Sequence, residues 1–420
     1  MSTAPFLVLP RPGAAGLAAL AGLPAAAMQF AGALKSTPPL AGLPFDLTLV
    51  SAALLLPGLV LLAAGTRWRA RPVLAPPLAC AGLLWLWLVV AALWSPSREV
   101  LAAKLPEAVL AAPAMLLAGM VVGGDPGARR GLAAATLALG PFVAGTVAWG
   151  LAHGQVVLGG MVGANPEMVR VQYQLAGLAI ACAAGLAALK VVETRGLLRL
   201  AWAGLTLVLA LAGLLPGGRA GLIALGLAVM LAPAAHLWSA RRGRAALGWV
   251  ALTGGAGLLA IAALLADPGR AEGLRTLERF TGDGLAASAR PLLWAEALRW
   301  AGETLPWGLG TGAFTLAAGN GERRGLYPHN HALEALAEGG LPGILLWLGA
   351  FGGGGLLLLG RLRALPPGAG GRLVALVLPI ALGAMVSTDM GNRMVWFALG
   401  LALSAGLEAE PRRAGEPGIG

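Results

Sequence analysis

Leu326-Tyr-Pro-His-Asn-His-Ala-Leu-Glu-Ala-Leu-Ala-Glu-Gly-Gly-Leu-Pro-Gly343 is the stretch from which the rest of the chain can be read. It holds His329 and His331, two of the chain's four histidines. It closes the only long hydrophilic segment and runs straight into a hydrophobic one. The spacing predicts a short helix from His331 to Glu338. Gly339-Gly340 is a C-terminal stop signal, and Pro342 is tolerated in the first turn of the next helix.

Working outward, the chain of 420 residues is 58% hydrophobic and only 12% charged. Soluble domains carry roughly 25% charge, so the composition is that of a polytopic membrane protein. Spans of about 20 mostly apolar residues are expected at 14–34, 44–64, 73–94, 103–123, 131–152, 171–192, 198–215, 219–237, 246–266, 340–360, 372–388 and 391–408. The first is the weakest, being Gly/Ala-rich with Pro24 and Gln29 inside it. A cleaved signal peptide competes there, and a retained helix is preferred. Cys80 and Cys182 both fall inside spans and read as small buried residues. No Asp, Glu, Lys or Arg falls near the centre of any span.

The net charge of +11 raises the question of nucleic acid. The cations are dispersed over short loops, however, and read as topology signals. With the N-terminus cytoplasmic, the inner segments hold 17 of the 30 Lys and Arg, among them Arg67, Arg69, Arg71, Arg241, Arg242 and Arg244. The short outer segments hold 6: Lys35, Arg98, Lys104, Arg170, Arg219 and Arg393. Basic cytoplasmic loops are the rule, so residues 267–338, between spans nine and ten, are expected on the periplasmic side. The fold class is therefore all-α and integral to the membrane. It is one polytopic domain over 1–420 with about twelve transmembrane helices and one long periplasmic loop containing short helices.

Within that loop, residues 289–301 read as an amphipathic helix with Ser288 as cap and Pro291 near its start. Leu293, Ala297 and Trp300 line one face, and the tryptophans fit a helix in the headgroup layer. Gly308-Leu-Gly310-Thr-Gly312 is a tight turn. Polar residues gather at the outer ends of the spans, around Asn165, Arg170 and Gln172 and again around Ser387, Asp389, Asn392 and Arg393.

His329-Asn330, nine residues, Gly340, two residues and Gly343 resemble the His-Asn…Gly-x-x-Gly signature of the bacterial O-antigen ligase and polymerase superfamily. An arginine after a glycine turn at the start of a span is similar to Arg219 in Gly217-Gly-Arg219. A second arginine in the long loop, shortly before an aromatic, is similar to Arg290 ahead of Trp294. The resemblance covers about 200–345 and implies a GT-C-like membrane glycosyltransferase of the inner membrane with its active site on the periplasmic face. It implies an undecaprenyl-diphosphate-linked glycan donor, a lipid A core acceptor, membrane lipids as surroundings, no cofactor and no nucleic acid. The loop between Arg290 and His329 is short for a ligase, and the Asn165 region fits the family pattern loosely.

On that resemblance Arg219, Arg290 and His329 are the expected catalytic residues. Tyr327, Asn330, Arg170 and Arg393 join the two arginines as expected substrate-binding residues. The chemistry is coherent: a departing diphosphate needs fixed positive charge, which two arginines supply without a metal. His329 is the general base on the acceptor hydroxyl or a further phosphate ligand. Attack opposite the leaving group inverts the anomeric centre. Plainer readings stand beside these. Arg219 can be an interface arginine reaching to headgroups, and His329 a packed loop histidine. His331, Glu334 and Glu338 share a helix face and invite a zinc reading, but no H-E-x-x-H or Cys/His spacing is present; a polar face over headgroups accounts for them. Gly310-Thr311-Gly312 lacks the serine of an intramembrane protease. A polymerase of the same superfamily is the near alternative. A transporter or flippase is the distant one, without midplane charges or repeated halves to favour it.

Overall fold

The computed structural model describes residues 19–158, 168–266, 274–278 and 289–411. The start of the first expected span, the Asn165 region, the Ser288 cap, and Arg412 and Arg413 lie outside the described residues. Nine helices among those described are long and apolar enough to cross a membrane. They are α3 (Leu47–Gly65), α4 (Pro72–Trp94), α5 (Glu99–Gly124), α6 (Pro126–Ala152), α7 (Tyr173–Glu193), α9 (Arg219–Ser239), α10 (Gly243–Leu265), α12 (His331–Arg361) and α13 (Ala369–Val386). The other three expected spans coincide with shorter helices. These are the pair α1 (Gly22–Gln29) and α2 (Ala31–Lys35), α8 (Gly196–Ala212) and α14 (Arg393–Leu403). One further helix, α11 (Arg290–Thr304), belongs to the long hydrophilic segment.

Helix α7 is the hub. It packs against α6, α8, α9 and α13, and its run from Ala176 to Leu189 is buried throughout. Small residues make this possible, because without a water-driven hydrophobic effect helices in lipid associate by close backbone approach. A side chain at Gly177 would lie 3.3 Å from the Cα of Gly221 on α9, and one at Gly185 would lie 2.9 Å from Ala228 Cβ. Helix α10 lies at the edge, with Ala246 its one buried residue.

Side chains join the ends of neighbouring helices at both ends of the bundle. At one end, Lys35 pairs with Asp46 at 2.6 Å, Ser97 donates to Glu322 at 2.7 Å, and Arg324 pairs with Glu107. At the other, Arg372 pairs with Glu193 at 3.0 Å and Arg363 stacks 4.2 Å over Trp238. That second end also carries an antiparallel ribbon of β1 (Thr66–Ala70) and β4 (Leu407–Pro411), which the sequence reading did not foresee. A second, parallel pair joins β2 (Val156–Leu158) to β3 (Val169–Val171). Cys80 and Cys182 are free thiols.

Helix α11 starts at Arg290 with Pro291 in its first turn, as expected. Its buried stripe is Leu293, Ala297 and Ala301 rather than Leu293, Ala297 and Trp300. The spacing i, i+4, i+8 keeps one side of the helix against α12, where Leu293 and Ala297 meet Phe314 and Ala337. Trp300 turns aside under the Arg299 guanidinium, 4.5 Å from its ring centre. Packing on α12 thus fixes the buried face of the helix.

Candidate active site

The signature stretch has a physical explanation in the backbone of α12. Asn330 is its N-cap: Oδ1 accepts from the backbone N–H of Ala332 and Leu333, both at 3.0 Å. The helix breaks at Gly340, which has φ +62° and ψ −153°, a region open to glycine almost alone. A side chain at Gly340 would meet Pro306 O at 2.1 Å, and one at Gly343 would meet Ala335 O at 2.4 Å. The two glycines of the signature are therefore demanded by sterics.

A broken helix inside a membrane leaves carbonyls that must find partners. The turn at residues 306–312 supplies them. Leu309 N–H donates to Ala337 O and Gly310 N–H to Glu338 O, each at 2.9 Å, while Leu341 N–H reaches Pro306 O at 2.9 Å. Trp87 Nε1 donates to Gly339 O at 2.7 Å, and Trp94 Nε1 to Gly308 O at 3.2 Å. Trp87, Trp94 and Trp307 form one aromatic group there, as expected where apolar and wet surroundings meet.

Glu334 and Glu338 do not form a polar face over headgroups. They turn inward onto Lys104, whose Nζ donates to Glu334 and reaches Glu338 at 2.8 Å. Lys104 is 5%, Glu334 0% and Glu338 3% exposed. The second oxygen of Glu334 accepts from Met390 N–H at 3.0 Å, and Glu338 accepts from Gly312 N–H at 2.8 Å. This arrangement also answers the zinc reading, since both carboxylates are already occupied. His331 is equally buried, in a cage of Trp347, Phe351 and Trp396, and its Nδ1 accepts from Trp347 Nε1 at 3.0 Å.

Just before the cap, His329 holds the left-handed conformation at φ +56°. Such backbone is uncommon for a residue with a side chain, and it concentrates at functional sites. The conformation aims the ring against Tyr327, with centroids 4.1 Å apart. Tyr327 is fixed in turn by its hydroxyl, which donates to Ser387 O at 2.9 Å. Burial and then the nearby Arg290 charge push the His329 pKa down to about 4, against weaker support from the Ser387 backbone and Asp389. Burial, with the Asp389 carboxylate, raises that of Tyr327. Tyr327 and His329 are in contact, and Arg290 lies near enough for its charge to act on both.

A cavity of about 300 Å³ opens beside this cluster, lined by Gln29, Glu107, Arg324, Asp389, Asn392 and Arg393 among others. Arg324 pairs with Glu107 and, at 3.3 Å, with Asp389. Burial opposes its charge, but the two carboxylates prevail and raise its pKa. Arg393 Nη2 donates to Thr48 Oγ1 at 3.0 Å. An adjoining hollow of about 280 Å³ is lined by Lys35, Ser36, Arg170 and Gln172 and shares Gly32 with the first. Arg170 and Arg393 therefore border two neighbouring hollows, and Asp389 links the one beside Arg393 to His329.

Arg219 heads α9, after a turn with φ +85° at Gly217. Thr276, from the long hydrophilic segment, holds that turn: its N–H donates to Leu214 O at 3.1 Å and its Oγ1 accepts from Gly217 N–H at 3.0 Å. Helix α9 packs on α13, whose end leads into Ser387. Arg219 is thus placed at the same end of the bundle on a separate element. Glu107 and Arg324 were not singled out from the sequence, and Lys104 was read there only as a topology signal. Gln29 carried a signal of its own, as an amide inside an otherwise apolar span.

The family model described as O-antigen ligase matches residues 204–348. The matched stretch contains Arg219, Arg290, the turn at 306–312 and the whole signature. No curated protein matches the chain.

Proposed function

We propose, from the likeness of residues 204–348 to the O-antigen ligase family model, that the chain is an O-antigen ligase-type enzyme that moves a glycan from undecaprenyl diphosphate to a lipid A core sugar on the periplasmic face of the inner membrane. The observation that carries the reading is His329: a half-buried imidazole on left-handed backbone, set against the Tyr327 ring and within reach of the Arg290 charge. The imidazole is neutral at pH 7 and can accept a proton. In the proposed step the acceptor hydroxyl attacks the anomeric carbon and passes its proton to His329. The bond from that carbon to the diphosphate oxygen breaks, and undecaprenyl diphosphate leaves with the electron pair. Arg290 and Arg219 stabilise the departing charge, so that no divalent metal is required. In-line attack makes the transfer inverting.

A deletion strain tests the reading. Loss of long chains on lipid A with the lipid-linked polymer retained is the expected glycan profile. Loss of the polymer itself would make the protein a polymerase. Retention of activity in EDTA is expected of purified enzyme; activity lost in EDTA and restored by one metal would overturn the arginine account.

A further inference from the structure

We propose that the cavity bordered by Gln29, Glu107, Arg324, Asp389, Asn392 and Arg393 is the subsite for the acceptor sugar, held through its neutral hydroxyls; this rests on the glycosyl-transfer reading above. Gln29 supplies the first argument. It is 0% exposed, and among the described residues neither its carboxamide oxygen nor its nitrogen has a hydrogen-bond partner. A buried carboxamide left unpaired is costly, so its place on the cavity wall points to a ligand offering both donors and acceptors.

Charge supplies the second. Glu107 and Asp389 line the cavity together with Arg393 and with Arg324, which pairs with both carboxylates, so positive and negative groups balance. A diphosphate would gain little there and would meet two carboxylates. A polyol is matched well, because its hydroxyls donate to carboxylates, accept from guanidinium groups and do both with a carboxamide. Position supplies the third. Asp389 lines the cavity and also favours the protonated form of His329, so a sugar seated there lies beside the expected base. The volume of about 300 Å³ falls at the small end of ligand pockets.

The test is steady-state transfer by purified full-length protein in lipid nanodiscs. The donor is undecaprenyl-diphosphate-linked glycan, and the acceptor is lipopolysaccharide ending at the core. Gln29→Leu keeps the size of the side chain and removes its hydrogen bonds. It should raise KM for the core acceptor about tenfold and leave KM for the donor unchanged. Ala111→Met, which fills the cavity from its apolar wall, should give the same pattern and serves if Gln29→Leu does not fold. A rise in donor KM would make the cavity a donor site and overturn the proposal. Unchanged KM values with a lowered melting temperature would also overturn it, leaving Gln29 a structural group. If the wild type extends lipid-linked glycan instead of the core, the ligase reading falls. The cavity proposal is then judged on KM for that lipid-linked acceptor.

Discussion

As the proposed general base, His329 joins two demands that oppose each other. A general base must be neutral, and burial beside Arg290 ensures this by pushing its pKa down to about 4; a lower pKa also weakens the base. The folded value lies below the ordinary 6.5. The associated stability is therefore complete above pH 6.5 and is lost as pH falls toward 4. The acid limb of kcat/KM should accordingly lie near pH 4 and move upward in Arg290→Ala, which removes the second cause of the shift. A limb near 6.5 that does not respond to Arg290→Ala would contradict the assignment. Arg290→Lys should not restore Arg290 function, because an ammonium cannot reproduce the planar fork. The expected loss is about 2–4 kcal/mol of transition-state stabilisation. His331, two residues on, has a different role. Its buried contacts with Trp347 and Phe351 predict that His331→Ala lowers thermal stability more than activity per folded molecule.

Helix α12 shows what the sequence reveals and what it hides. Its break was legible because Gly339-Gly340 before Pro342 is a local signal, and φ +62° at Gly340 has the cause that signal implies. The partners of Glu334 and Glu338 were not legible. Lys104 lies 230 residues or more away in sequence, and its place at a span end made it look like a topology signal. The same holds for Arg324 with Glu107 and Asp389, pairs set by tertiary packing alone. Gly340→Ala would place a methyl group on Pro306 O in left-handed backbone. It should lower stability by about 1–3 kcal/mol or more, read as a lower melting temperature in detergent. Lys104→Met would strand two buried carboxylates and should cost about 3–5 kcal/mol. Adding Glu334→Gln and Glu338→Gln should recover much of that loss. Wild-type stability in Lys104→Met alone would show that the buried cluster does not hold α12 in place.

At the scale of the whole molecule, apolar runs of about 20 residues made the bundle legible. Nine of the twelve expected spans are helices of crossing length; α8 and α14 stop short, and α1 and α2 are divided at Phe30. The ribbon of β1 and β4 was hidden because its strands are five residues each and lie at opposite ends of the chain. Orientation is a separate prediction, motivated by the basic inner loops. A cysteine in place of exposed Arg323 should react with an impermeant thiol reagent in intact spheroplasts, whereas one in place of Arg242 should react only after permeabilisation. The reverse pattern would invert the protein. The central claim, that Arg290 and His329 act together in glycosyl transfer, is tested most directly by transfer of labelled glycan in membranes holding matched amounts of wild type, Arg290→Ala and His329→Ala. Near-complete loss in both variants is the predicted result; near-normal transfer by both would mean that the loop is a structural cover and the reaction takes place elsewhere.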